Sequence, residues 1–389
     1  MPMRDAAQVA CVAQAFVRSW RCHPSLDFNE ETLGLIQNGC RKDENARDFN
    51  NKVDHILDKH LGIGIKELRL ILTTDEKYNF PISLLYGQTG DSLWYLSLAC
   101  CHFHPTDQFG CFRNLTKLKL TLVHITATEL GWFLSSSFAL EQLKLRYCND
   151  IDCLKIPCLQ KLSYLEVVCC TGIQAIESKA PNLSSVSVVG GLHVQFSLEN
   201  ARRIKILNRH SSNFTGYART NLPSIMPNLE ALSIRSDVEL VNTPMVPSKF
   251  LHLKFLNIAI GGLTFDFLSL ASFLVASPSL ETFILEVGYF FEDSSNFRMM
   301  PGHHHSKLKC AKIIKFSAAK SVAELTCHIL ESATCSVNKT GKCLFMLKYA
   351  LVAAHEGLLA AKTYIKPKVP SKVELNVLEP CIRCHAVGL

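Results

Sequence analysis

An α/β solenoid built on one parallel sheet is predicted by three features of the sequence. An apolar pattern Leu-x-x-Leu-x-Leu recurs along most of the chain, its copies follow one another at a near-constant step, and charged residues make up only 19%, against about 25% in ordinary domains. The copies begin at Ile65, Leu93, Leu115, Leu140, Leu162, Leu183, Ala201, Leu229, Leu253, Leu280 and Leu308, with those at Ile65 and Ala201 the weakest. Their steps are 28, 22, 25, 22, 21, 18, 28, 24, 27 and 28 residues. A strand plus a return segment of this length cannot bury its apolar row alone. Stacked copies can: the leucines align into one core and the strands into one parallel sheet.

Steps centred near 24 are those of leucine-rich repeats, whose window is about 20–29 residues. The fold class expected is therefore a leucine-rich-repeat solenoid (horseshoe) with its parallel sheet on the concave face. Taken in order, residues 1–20 place Ala6, Val9, Ala10, Ala13, Phe16, Val17 and Trp20 at helical spacing, which predicts an amphipathic helix. The polar stretch 38–59 precedes the first copy. Cys101, Cys148 and Cys170 occupy the Asn/Cys position that follows a strand, where side chains of neighbouring repeats form a ladder. Return helices are expected at 128–135, capped near Ala127-Thr128, at 265–276 and at 318–332. Pro181, Pro227 and Pro278 stop the return segments before the next strand. Beyond Ser332 the pattern breaks; 351–365 reads as a helix and 372–378 as a last strand.

Composition excludes several classes. The net charge of +7 over 389 residues is mild and does not mark a nucleic-acid binder. An odd count of 17 cysteines cannot pair completely and, with no signal peptide at the N-terminus, points to a reducing cytoplasmic or nuclear setting. The one membrane-like stretch, 258–276, carries Asp266 at its centre and divides into a strand end and a helix. Cys381-x-x-Cys384-His385 matches a haem-attachment motif without a haem-burying domain, and as a zinc site it lacks a second ligand pair. His303, His304 and His305 read as a surface loop. No nucleophile elbow or phosphate-cradling glycine loop occurs, so no enzyme, cofactor or metal is expected.

The N-terminus carries a second signal. Pro2, Val9, Val12, Phe16 and Trp20, followed by Pro24-x-Leu26-x-Phe28, resemble the second and third helices of an F-box as found in plant F-box/leucine-rich-repeat proteins. The likeness continues through Phe28-Asn-Glu-Glu-Thr32 into the repeats and reaches Ser336-Val-Asn-Lys and Glu379-Pro-Cys381 in the tail. It implies a substrate receptor of an SCF-type cullin–RING ubiquitin ligase, docked through a Skp1-type adaptor by those five residues. The usual first F-box helix, Leu-Pro-x-Asp-Ile-Leu, falls before Met1, which implies a late start and removes much of the adaptor contact. The alternative is a ligase-independent interaction solenoid or a truncated product without adaptor binding. The domains expected are a partial F-box at 1–28, a connecting and capping segment at 29–64, repeats at 65–332 and a capping tail at 333–389.

Side chains alternate along a strand, so the x residues of the pattern face the concave surface. Read that way, Arg69, Lys117, Lys119, Lys144, Arg146, Lys205 and Arg235 form a basic surface expected to take an acidic or phosphorylated segment of a target protein.

Overall fold

The computed structural model describes residues 22–33, 42–59, 64–72, 78–85, 88–107, 110, 112–190, 194–261, 265–288, 298, 305–316, 319–332, 348–371 and 373–377. The chain divides into two units, 1–203 and 204–389. In the first, seven parallel strands pair in sequence order: β1 (Ser25–Phe28), β2 (Glu67–Ile71), β3 (Tyr95–Ala99), β4 (Lys117–Thr121), β5 (Gln142–Arg146), β6 (Tyr164–Val168) and β7 (Ser185–Val189). The register aligns Leu68, Leu96, Leu118, Leu143 and Leu165, and beside them Leu70, Leu98, Leu120, Leu145 and Val167. All ten are at most 2% exposed. Burying one such side chain contributes about 1.5–3 kcal/mol, so this ladder holds the unit together.

Strands β3 to β7 end in the same corner. Cys100, Leu122, Tyr147 and Cys169, one residue past their strands, adopt φ of 50–56°, and Gly190 follows at 82°. Left-handed backbone costs a non-glycine residue about 1–2 kcal/mol. The ladder offsets that cost: Cys100 N–H donates to Thr121 at 3.0 Å, Leu122 to Arg146 at 2.8 Å and Tyr147 to Val168 at 2.8 Å. Behind the corners, Cys153–Ile156, Ala175–Ser178 and Gln195–Leu198 form a second, three-stranded parallel sheet. Earlier repeats return through helices instead. Of these, α1 (Lys42–Lys59) and the short α2 (Gln88–Ser92) precede α3 (Ala127–Ser135). Thr126 caps α3, its hydroxyl accepting from Glu129 N–H while the Glu129 carboxylate accepts from Thr126 N–H. The cap thus lies one residue before the expected position.

The second unit holds β8 (Ile206–His210), β9 (Ala231–Ser236), β10 (Phe255–Ile260), β11 (Thr282–Val287) and β12 (Cys310–Ile314), again parallel and in order. Its helices are α4 (Thr215–Ile225), α5 (Ala271–Ala276) after a 3₁₀ turn at Phe267–Leu270, α6 (Lys320–Ser332) and α7 (Lys348–Ala360). Arg219 of α4 is 1% exposed. It stays charged inside because its guanidinium donates to the carbonyls of Val246, Ser248 and Ser272 at 2.6–3.0 Å.

Four expectations change. Leu26 and Phe28 are not in an F-box helix: Ser25–Phe28 is extended and pairs with β2, because those two side chains complete the leucine ladder. The sheet therefore begins one strand before residue 65. In the weak copy at Ala201 the register is wrong. Leu207 pairs with Leu232 and Arg209 with Ile234, so the copy reads Ile204-x-x-Leu207-x-Arg209. The irregular steps of 18 and 28 then become 204 − 183 = 21 and 229 − 204 = 25. His305 is buried at 3%, not on a surface loop. Residues 373–377 form no strand. His303, His304 and the Cys381–His385 motif lie outside the described residues.

Candidate basic cleft on the sheet of the first unit

The leucines point into the core, which leaves the alternate residues of β2 to β6 on the open face. The register sets them in rows. The middle row reads Arg69, Ser97, Lys119, Lys144, Glu166, and the row before it reads Glu67, Tyr95, Lys117, Gln142, Tyr164. Arg146 stands in the third row, beside Thr121. Together Arg69, Lys117, Lys119, Lys144 and Arg146 line one cleft of about 320 Å³ with Trp94 and Tyr95. Five of the seven basic residues expected on the concave face thus converge.

The five cations are not equivalent. Arg69 lies 3.1 Å from Glu67 and 3.9 Å from Asp27. Arg146 holds Glu166 by its Nε at 2.7 Å and by a terminal nitrogen at 2.6 Å. Tyr164 donates its phenol to the other Glu166 oxygen at 2.7 Å. Burial opposes ionisation of Glu166, but the bonds from Tyr164 and Arg146 outweigh it and hold the carboxyl below its usual range. Tyr164 is pushed up to about 12 by burial and by the adjacent carboxylate. Lys117, Lys119 and Lys144 have no carboxylate within ion-pair distance among the described residues. Two of them rest on rings instead, Lys117 Nζ 5.4 Å from the Trp94 centroid and Lys144 Nζ 5.2 Å from that of Tyr164. Arg69 lies 5.0 Å from the Tyr95 ring in the same way.

The remaining basic residues do not join this cleft. Lys205 precedes β8 and bonds Glu230 at 3.0 Å. With the corrected register its place in the middle row belongs to Asn208, opposite Ser233. Arg235 lies on β9 of the second unit, 4.0 Å from Asp237, which also meets His210 at 3.0 Å. Pro2, Val9, Val12, Phe16 and Trp20 lie outside the described residues. The pattern reading overlooked Trp94, Tyr95 and Tyr164. The signal was present, since each occupies an x position between the first two apolar residues, as Lys117 does, but from these flanking rows the charge reading takes only basic residues.

The cysteine positions are structural. Cys101, Cys148 and Cys170 are 1%, 0% and 4% exposed. Cys170 Sγ accepts the Cys148 N–H of the neighbouring repeat at 3.3 Å, and each thiol faces a carbonyl of its own repeat at 3.5 Å. Burial, then Cys100 next to it, pushes Cys101 up to about 12. The hydrogen bond to Cys170, together with burial, raises Cys148 as well. Cys101 and Cys148, so raised, are poor nucleophiles, whereas the hydrogen bond with Cys148 lowers Cys170. Among the described residues no group of three His, Cys, Asp or Glu side chains is arranged to hold a metal ion.

Residues 29–382 match the model of the At1g61320/AtMIF1 leucine-rich-repeat domain. The chain belongs to that family. A search of curated proteins gives no match. The At1g61320/AtMIF1-type repeats account for the large parallel sheet and its return helices, and a solenoid of this kind is typically a protein-interaction scaffold rather than an enzyme. No helix among the described residues is long and apolar enough to cross a membrane.

Proposed function

We propose that this chain is the substrate receptor of an SCF-type cullin–RING ubiquitin ligase, holding a target protein on the sheet of its first unit. The observation that carries target capture is the cleft: three lysines with no carboxylate within ion-pair distance among the described residues stand side by side on a parallel sheet, framed by aromatic rings. Two lysines in register, Lys119 opposite Lys144, repel each other at a cost of about 0.2–1 kcal/mol, which an acidic partner would relieve. The ligase part rests on the F-box likeness of Pro2, Val9, Val12, Phe16 and Trp20. The mechanism is proximity: the repeats hold the target and the N-terminal segment docks the Skp1-type adaptor, which raises the target's effective concentration at the ubiquitin-loaded enzyme.

The test is co-precipitation with a Skp1-type adaptor, comparing this chain with one extended upstream in frame. Binding by this chain supports the receptor reading; no binding by this chain, with binding by the extended form, refutes it for this chain. A ligase-independent interaction solenoid is the second reading. It is favoured by Ser25–Phe28, which the sheet has taken from the F-box-like segment. Pull-downs from cell extract with Lys119→Glu/Lys144→Glu address target capture separately, and an unchanged set of partners would show the cleft to be idle.

A further inference from the structure

Resting on the reading of the cleft as a docking surface, we infer that its ligand is a phosphorylated side chain within a peptide segment of the partner, and that Glu166 limits its affinity. The argument starts from the charge left over. Arg69 is held by Glu67 and Asp27, and Arg146 by Glu166, so these two position the walls. Lys117, Lys119 and Lys144 are the cations available to a ligand. A carboxylate brings one charge and two oxygens to three ammonium groups. A phosphomonoester brings nearly two charges and three strong acceptor oxygens, and so matches them in number. The Trp94 and Tyr164 rings lie against Lys117 and Lys144 and exclude water from one side of each ammonium, which strengthens the attraction.

Size points the same way. About 320 Å³ lies at the low end of ligand clefts and admits one modified side chain with its neighbours rather than a folded surface. The open face of a parallel sheet also leaves room for an extended segment above it.

Glu166 sets the limit. It is the partner of Lys144 in register and the acceptor of Arg146, and its side chain is only 10% exposed. It stays ionised and repels an incoming anion while occupying the Arg146 guanidinium, which could otherwise bind phosphate bidentately. Neutralising it has the opposite sign to neutralising a lysine. General loss of folding would not produce gains and losses together.

The experiment uses the full chain, immobilised, with degenerate peptide pools. Their central residue is phosphoserine, phosphothreonine or phosphotyrosine, in parallel with pools centred on Glu and on Ser. The expected result is about 10-fold tighter binding of at least one phosphorylated pool than of the Glu pool. Lys119→Gln should remove most of this preference, and Glu166→Gln should tighten phosphopeptide binding by about 3-fold or more. Among the described residues no histidine lines the cleft, and the carboxylates that pair with its arginines are Asp27, Glu67 and Glu166. Phosphopeptide binding should therefore strengthen as pH rises through about 6, where the phosphate takes its second charge. Equal binding of the Glu and phosphorylated pools, both lost in Lys119→Gln, would overturn phosphate recognition and leave the docking surface standing. Binding of no pool overturns the peptide ligand itself. Inorganic phosphate or a nucleoside phosphate binding as tightly as the peptide pools would overturn the peptide source.

Discussion

Replacing Arg209 with methionine should make the protein more stable. Arg209 stands at a ladder position of β8, opposite Ile234, where the other repeats carry Leu, Val, Ile or Phe, and it is 2% exposed. Burial pushes its guanidinium down from the ordinary 12.5 to about 10. That difference corresponds to a penalty on the charged form on the order of 3 kcal/mol. The Phe214 ring, 5.7 Å away, is one of the contacts that offset this penalty and returns about 0.5–2 kcal/mol through cation–π attraction. Methionine keeps the length and flexibility of the stem and carries no charge, so, with desolvation outweighing all the contacts of the guanidinium, Arg209→Met is expected to gain up to about 2 kcal/mol. For a unit of this size the melting temperature should rise by about 2–8 °C. The sign with pH also follows. A base whose folded value is depressed destabilises the fold while it is charged, below about 10, and the penalty fades as pH rises beyond that. The advantage of Arg209→Met should therefore be full at pH 7 and begin to shrink above pH 10. Thermal unfolding of the full chain followed by circular dichroism measures both. A lower melting temperature at pH 7 would refute the reasoning, because it would mean that the contacts of the guanidinium outweigh its desolvation.

Three further outcomes are expected. Gly172→Ala should destabilise the first unit by about 1–3 kcal/mol in urea titration, because a Cβ there would stand 2.1 Å from the Asn149 carbonyl oxygen and 2.8 Å from that of Ile151, both backbone atoms. Arg298→Ala should cost about 2–3 kcal/mol in the same assay, since it strips the buried Glu324 of its guanidinium bonds at 2.7 and 3.1 Å and leaves it the backbone N–H of residue 298 at 2.5 Å and Lys320 at 3.6 Å. For Glu129, burial opposes ionisation but the bonds from Thr126 and His104 prevail and lower its value. Its stabilisation is thus complete above the unfolded value of about 4.3 and lost as pH falls through the folded one. The deficit of Glu129→Gln should accordingly be about 1 kcal/mol at pH 7 and vanish by about pH 3.

The repeats were legible in the sequence because a ladder position must be apolar in nearly every copy, and the period survives any single exception. Lys117, Lys119, Lys144 and Arg146 were legible for the same reason, since alternation along a strand sends them to the face opposite the leucines. Ser25–Phe28 was not legible as a strand. Four residues show little periodicity, and only pairing with β2 buries Leu26 and Phe28. The copy at Ile204 was misread because Arg209 takes an apolar place, and local pattern cannot tell a buried arginine from an exposed one.

The sequence by itself determined the stacking, the step and which side chains leave the core, because those follow from periodicity and from the need to bury each apolar row. Only the tertiary structure decided which cations remain available. Whether Arg146 is taken by Glu166, and Lys117 and Lys144 laid on Trp94 and Tyr164, depends on which strands adjoin and in what register, and that is set by contacts between residues about 20–30 positions apart in the chain.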